Sequence, residues 1–294
     1  MSTRGSDSRI FVQIPAYRDS ELPATLRDLY HKAARPESLN TTVVWQHAAD
    51  ERLPADVTSL QGVRVVNIDA LESQGCNWAR SIAQEYWDGE PFTLLLDSHH
   101  RFVRHWDDVV LEMYRQLRSD GVRRPLLTGY LPAYDPDREP GGRRKRPYQM
   151  SPLAREDGIL TRLTSYPIPF WTTLSRPLPA EFLSLHFVFT AGAFNEDVRF
   201  DPRIYFFGDE LVTGLRAFTH GYDMFHPHRI VGWHCYNRAS RIPHWDNHPN
   251  WGRQHRESLA LMRNLFLGLP TTVDLGDERS VADYQDFVLT ELVV

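Results

Sequence analysis

Short apolar runs alternate with amphipathic helical stripes through the first hundred residues, and this alternation narrows the fold more than any other feature of the chain. Residues 10–14 (IFVQI) read as a buried strand that Pro15 stops and that opens into the polar loop PAYRD. Leu22, Leu26, Leu29, Tyr30 and Ala33 follow at helical spacing behind an early proline, predicting a helix from about Ser20. Residues 42–46 and 63–68 predict further strands. Ala79, Ile82, Ala83 and Tyr86 form the i, i+3, i+4, i+7 stripe of another helix, and residues 92–96 predict the next strand. Such an alternation makes an α/β layered domain with a mostly parallel sheet. Ligands of these sheets collect beyond the carboxyl ends of the strands. Residues 15–19 and 97–101, each leaving an apolar run, are therefore expected on one rim.

The second of these segments, LLLDSHHRF at 94–102, carries metal-ligating chemistry. Asp97 and His99 are separated by one residue, so both can turn toward one ion where the chain leaves the strand. A carboxylate with an imidazole suits Mn²⁺ or another divalent cation. Alone the pair is a weak signal, because acidic residues often close parallel strands and the chain has 13 histidines; His100 is expected to point into solvent. Two later segments add to it. YFFGDEL (205–211) places Asp209 and Glu210 after a glycine at the start of a helix, where acidic residues also simply favour the helix dipole. IVGWHCY (230–236) holds His234 in a short apolar strand, where a core histidine is an equal alternative.

The remaining patterns exclude more than they assign. A net charge of −5 argues against capture of nucleic acid. No stretch approaches the roughly 20 apolar residues of a membrane span, and MSTRGSDSR lacks the apolar core of a secretory signal, so a cytoplasmic protein is expected. Cys76 and Cys235 form no CxxC pair and read as reduced thiols. P-loop and G-x-G-x-x-G patterns are missing. A metal-dependent phosphoesterase also begins with D-x-H, but its G-N-H-[DE] segment is absent and GDELV lacks the second aspartate. The stretch 130–147 reads as a loop whose Arg143, Arg144, Lys145 and Arg146 either approach phosphate or stay solvated. Downstream, strands are predicted at 183–190 and 230–236 and helices at 210–219 and 257–267. His244, Trp245 and Trp251 form either a lid or aromatic core.

Five stretches together resemble a known family: IFVQIPAYRDSELPATLRDL (10–29), GCNWARSIA (75–83), LLLDSHHRFVRHWD (94–107), FVFTAGAFNEDVRFDPRIYFFGDE (187–210) and THGYDMFHPHRIVGWHCYNR (219–238). They are similar to the cytosolic N-acetylglucosaminyltransferases that modify a hydroxyproline in SCF-type ubiquitin ligases and to their bacterial relatives. A more distant likeness is to the polypeptide N-acetylgalactosaminyltransferases. The sequence departs from the family in having GCNWAR ahead of the arginine helix, where a G-P type turn is usual, and DSHH for D-S-H-M.

The resemblance implies a GT-A glycosyltransferase fold, a Rossmann-like mixed sheet flanked by helices. It also implies a single catalytic domain over 1–294, with a nucleotide-binding half at about 9–129 and an acceptor and metal half at about 130–294. Asp97, His99 and His234 would hold Mn²⁺ or Mg²⁺ against the diphosphate of a UDP-sugar. Pro15, Ala16, Tyr17, Arg18 and Asp19 would border uracil and ribose, Arg80, Asp97 and Ser98 would contact the donor, and Asp209 and Glu210 would face the donor sugar and the acceptor. The implied reaction moves N-acetylglucosamine to a hydroxyl of a protein side chain, glycan or small molecule with retention of configuration; inversion, with Asp209 or Glu210 as general base, is the alternative. A phosphoesterase and a non-catalytic nucleotide-sugar-binding module are the alternatives.

Overall fold

The computed structural model describes residues 8–237 and 241–294. Most of the stretch examined for a leader, and Arg238 at the end of the last matched segment, lie outside them. The strands are β1 (Ile10–Tyr17), β2 (Leu39–His47), β3 (Val63–Asp69), β4 (Phe92–Leu96), β5 (His100–Phe102), β6 (Pro125–Thr128), β7 (Tyr148–Glu156), β8 (Ile159–Pro167), β9 (Leu178–Pro179), β10 (Phe187–Ala191), β11 (Asp223–His226) and β12 (Gly232–His234). The helices are α1 (Leu22–Lys32), α2 (Ala55–Thr58), α3 (Cys76–Gln84), α4 (Trp106–Ser119), α5 (Phe194–Asp197), α6 (Asp209–Thr219), α7 (His244–Asn247), α8 (Trp251–Phe266) and α9 (Val281–Val288). Among the described residues no helix is long and apolar enough to cross a membrane.

Eight strands form one mixed sheet in the order β3-β2-β1-β4-β10-β6-β11-β9. The first four are parallel, and β10 runs antiparallel between β4 and β6. Period-two alternation divides the three leucines of β4: Leu94 and Leu96 join the core shared with α1 and α4, and Leu95 joins the core shared with α6 and α8. The chain winds outward from β1 through β2 to β3 and then returns to β1's other side as β4. That reversal opens a crevice at the carboxyl ends of β1 and β4.

Pro15 does not stop the first strand, which runs on to Tyr17. Arg18 N–H donates to Gln46 O of β2 at 2.9 Å, so by alternation the Pro15 nitrogen faces β4. There β4 pairs with β1 only as far as Gln13, and the missing N–H leaves no ladder bond unmade. The run expected as a strand from residue 183 is a strand only from Phe187, and the helix expected from 257 begins at Trp251.

Beneath the crevice a separate two-strand ladder joins distant parts of the chain. In it β12 lies antiparallel to β5, pairing Gly232 with Phe102, Trp233 with Arg101 and His234 with His100. The approach is close enough that a Cβ on Gly232 would meet Arg101 O at 2.4 Å. Gly232→Ala is expected to lose about 2 kcal/mol of stability, the cost of forcing an extra carbon into packed structure. Thermal or denaturant unfolding of the variant beside the wild type measures it, and an unchanged midpoint would show that the two strands have room to separate.

Candidate functional site

At the crevice the turn after β4 is pinned by its neighbours. Thr25 Oγ1 of α1 donates to Ser98 O at 2.9 Å and accepts from His100 N–H at 2.9 Å. Ser98 Oγ donates to Asp19 Oδ2 at 2.6 Å, and the same oxygen lies 2.6 Å from His99 Nδ1. The other Asp19 oxygen accepts Glu21 N–H at 2.9 Å. Burial pushes the Asp19 pKa up, but the contacts with His99, Ser98 and Glu21 outweigh it and hold the group ionised below its ordinary value. Asp19 thereby fixes the ring of His99 with Nε2 toward Asp97.

Asp97 is the centre of the cluster. Its Oδ2 lies 3.3 Å from His234 Nε2, 3.8 Å from His99 Nε2 and 3.9 Å from His186 Nε2. Its Oδ1 lies 3.5 Å from Arg80 Nη2. Burial opposes ionisation of Asp97, yet the His234 hydrogen bond and the surrounding imidazoles keep its pKa well below the usual carboxylate range. Burial and the neighbouring histidines drive the His234 pKa far down, and its Nε2 meets Asp97 through a hydrogen bond. His234 reaches the cluster because β12 places it opposite His100. His100 itself does not point into solvent: it is fully buried, and its Nδ1 lies 3.0 Å from Asp97 O.

Arg80 ties the cluster to a second pair of carboxylates. Carried on the buried face of α3, it donates from Nη1 to Asp209 Oδ2 at 2.8 Å and to Asn77 Oδ1 at 3.2 Å. Asp209 and Glu210 stand in the first turn of α6, which starts at Gly208 in a left-handed conformation (φ 87°). Glu210 accepts Tyr130 O–H at 2.8 Å and Leu185 N–H at 3.0 Å. Burial lifts both carboxyl pKa values. Arg80 opposes the lift at Asp209, whereas burial and the Asp209 charge push Glu210 up to about 8.

These groups line a cavity of about 400 Å³. Of the expected site residues it brings together Pro15, Tyr17, Asp19, Arg80, Asp97, Ser98, His99, Asp209, Glu210 and His234. Ala16 and Arg18 are not in its wall: Ala16 is buried in the sheet core and Arg18 pairs with Glu51 at 2.9 Å. At the far end the 241–248 segment crosses the carboxyl end of β1. His244 lies 2.6 Å from Tyr205 Oη and 2.9 Å from Ser73 Oγ, and its ring faces Tyr17 at 4.9 Å. Arg143 stacks on Trp233 and pairs with Glu139, and residues 135–147 stay out of the cavity wall.

Sequence reasoning missed His186, whose ring stacks on His234 at 4.3 Å and on Tyr130 at 4.5 Å. It also missed Tyr130, Arg241 and the role of Asp19 as partner to His99. A lone histidine before an apolar strand carries no local signal, and these contacts exist only in three dimensions.

The donor set fits a divalent ion. Among the described residues Asp97, His99 and His234 each offer a ligand atom, all within 4.8 Å of one another. One carboxylate, the His234 imidazole and a second imidazole oriented by Asp19 make a mixed O/N set suited to Mn²⁺.

The family model for glycosyltransferase (GlcNAc) matches residues 9–61 and 54–290. No curated protein sequence is significantly similar to the chain. Among solved structures, GalNAc-T7 with UDP, GalNAc and Mn²⁺ is similar at a TM-score of 0.62 and 13% identity, over 95% of this chain and 54% of that one. S. aureus TarS 1–349 in complex with UDP-GlcNAc is similar at a TM-score of 0.52 and 13% identity, over 95% of this chain and 70% of that one. The chain thus spans about half the length of the GalNAc-T7 chain. At these identities the likeness speaks for the fold, which is GT-A.

Because the pKa of Glu210 is raised, the folded protein holds a proton there that the unfolded chain gives up near 4.5. Its contribution to stability is full below pH 4.5 and fades as pH rises toward 8. Glu210→Gln is therefore expected to lose less stability than the wild type when metal-free protein is taken from pH 4.5 to about 8. Unfolding midpoints across that interval decide it, and parallel curves for the two proteins would refute the assignment.

Proposed function

Since the chain belongs to the glycosyltransferase (GlcNAc) family, we propose that it transfers N-acetylglucosamine from UDP-N-acetylglucosamine to a hydroxyl, using a divalent ion held by Asp97, His99 and His234. The carrying observation is the convergence of one carboxylate and two imidazoles within 4.8 Å at the crevice between β1 and β4. The nucleotide and metal seen with GalNAc-T7 and the UDP-GlcNAc seen with TarS support the donor class. Phosphoesterase chemistry and a binding module without turnover lose their footing once the chain is a family glycosyltransferase.

When bound, Mn²⁺ or Mg²⁺ supplies positive charge to the diphosphate as it becomes the leaving group. The remaining work falls to the chain. Asp19 keeps His99 in its ligating orientation. Arg80, between Asp97 and Asp209, couples the ion site to the first turn of α6 and presents a fixed cation to the donor. Pro15, Tyr17 and Ser98 border the nucleotide end, with Ala16 and Arg18 supporting that wall from outside it. His244 and Trp245 keep water, the competing acceptor, from the donor.

Retention of configuration agrees with the carboxylates. Asp209 is tied to Arg80 at 2.8 Å, and Glu210 accepts from Tyr130 and Leu185, so both carboxylates are engaged within the protein; Glu210, whose pKa burial pushes up to about 8, is the general base of the inverting alternative. In retention the acceptor hydroxyl attacks from the face that UDP leaves and passes its proton to a phosphate oxygen. Within a single catalytic domain, residues 9–129 form the nucleotide half and 130–294 the acceptor half. The likeness to hydroxyproline-modifying enzymes makes a protein side-chain hydroxyl the first acceptor to try.

UDP release from a panel of UDP-sugars with Mn²⁺ tests the reading. UDP-N-acetylglucosamine is expected to turn over, and chelation to stop it. Asp97→Ala, His99→Ala and His234→Ala are each expected to abolish metal-dependent turnover while leaving a folded protein. Asp19→Asn, which weakens the orientation of His99 without removing a proposed ligand, is expected to cost about 10- to 100-fold in Mn²⁺ affinity. Absence of UDP binding and of metal-dependent release across the whole panel would overturn the transferase mechanism.

A further inference from the structure

Arg241 lies against one of the proposed ion ligands. Its Nη1 is 2.5 Å from His99 Nε2 and 3.1 Å from His99 Nδ1. Its Nη2 donates to Cys235 O at 3.1 Å and to Asn237 O at 3.3 Å. Arg241 Nε is buried without a hydrogen-bond partner among the described residues, so this position does not satisfy the side chain completely. The guanidinium carries a positive charge.

An ion ligated by His99 Nε2 would sit about 2.1 Å from that nitrogen, if zinc–imidazole distances are a guide. In whatever direction it lay, it would come within about 5 Å of Arg241 Nη1 as now placed. A divalent cation and a guanidinium at that range in a buried site repel strongly. Asp97 and Asp19 supply negative charge to the site, but Arg80 already faces Asp97, so a second fixed cation beside His99 still weakens the hold on an ion.

We infer that Arg241 opposes the ion at His99: a guanidinium fixed beside the ring weakens the hold of Asp97, His99 and His234 on a cation. This rests on the reading of Asp97, His99 and His234 as an ion site, and adds to it a built-in opposing charge. Arg241 also begins the 241–248 segment, whose His244 closes on Ser73 and Tyr205.

The measurement is Mn²⁺ affinity, read from free Mn²⁺ by electron paramagnetic resonance, for wild type, Arg241→Ala and Arg241→Met, with His99→Ala as the blank. Met retains the length and apolar stem of the side chain and removes the charge. Both Arg241 variants are expected to bind about tenfold more tightly than wild type, equivalent to ~1.4 kcal/mol. Equal or weaker affinity in both, or tightening in Arg241→Ala alone, overturns the opposition while leaving the ion site intact. No binding above the blank by any of the three removes the ion site, and the inference with it.

Discussion

One buried negative charge governs the arrangement of the crevice. Asp97 leaves water at the end of β4, and an uncompensated carboxylate there would be costly. Four separate elements compensate it: α3 brings Arg80, the β4–β5 turn brings His99, the approach to β10 brings His186 and β12 brings His234. Three of them are held in turn by something further out, His99 by Asp19, Arg80 by Asp209 and Asn77, and His234 by the ladder to β5. The polar interior is thus a chain of obligations starting from one group.

How much of this was legible in the sequence follows from the range of each interaction. The first four strands and the helices between them are written in local periodicity, and the D-x-H pair is local as well. Pro15 misled because its effect depends on which neighbour its nitrogen faces, and β4 parts from β1 just before that point. The hairpin of β7 and β8 did carry a signal, the Asp157–Gly158 dipeptide, whose residues take φ of 49° and 78° as a tight hairpin turn requires. The stripe of Trp106, Val109, Val110, Met113, Tyr114 and Leu117 likewise marked α4. His234 joined the site only through the family likeness, while His186, Tyr130 and Arg241 have partners too distant in sequence for periodicity to reach.

The cavity divides its labour along its length. At the end nearest β4, fixed charges and imidazoles are locked by short contacts. At the other, Tyr17, Tyr205, Phe206 and Trp245 present aromatic surface. Gly208 lets these ends meet: a Cβ there would meet Met262 Cε at 2.0 Å, so the start of α6 is packed directly against α8. Helix α8 therefore helps set the position of Asp209 and Glu210 without touching the cavity's chemistry.

The distance along the chain between the members of the cluster has a topological meaning. Asp97 and His234 are separated by 137 residues yet stand within hydrogen-bond reach. An ion gripping both would act as a reversible staple across a very long loop, removing configurational freedom from the denatured chain much as a cross-link does. The loop so closed contains β6, the β7–β8 hairpin, β10 and α6, nearly all of the second half of the sheet. On this view cation supply is also a fold-quality check, since only a chain that has completed the β12 crossover offers the full set of ligands.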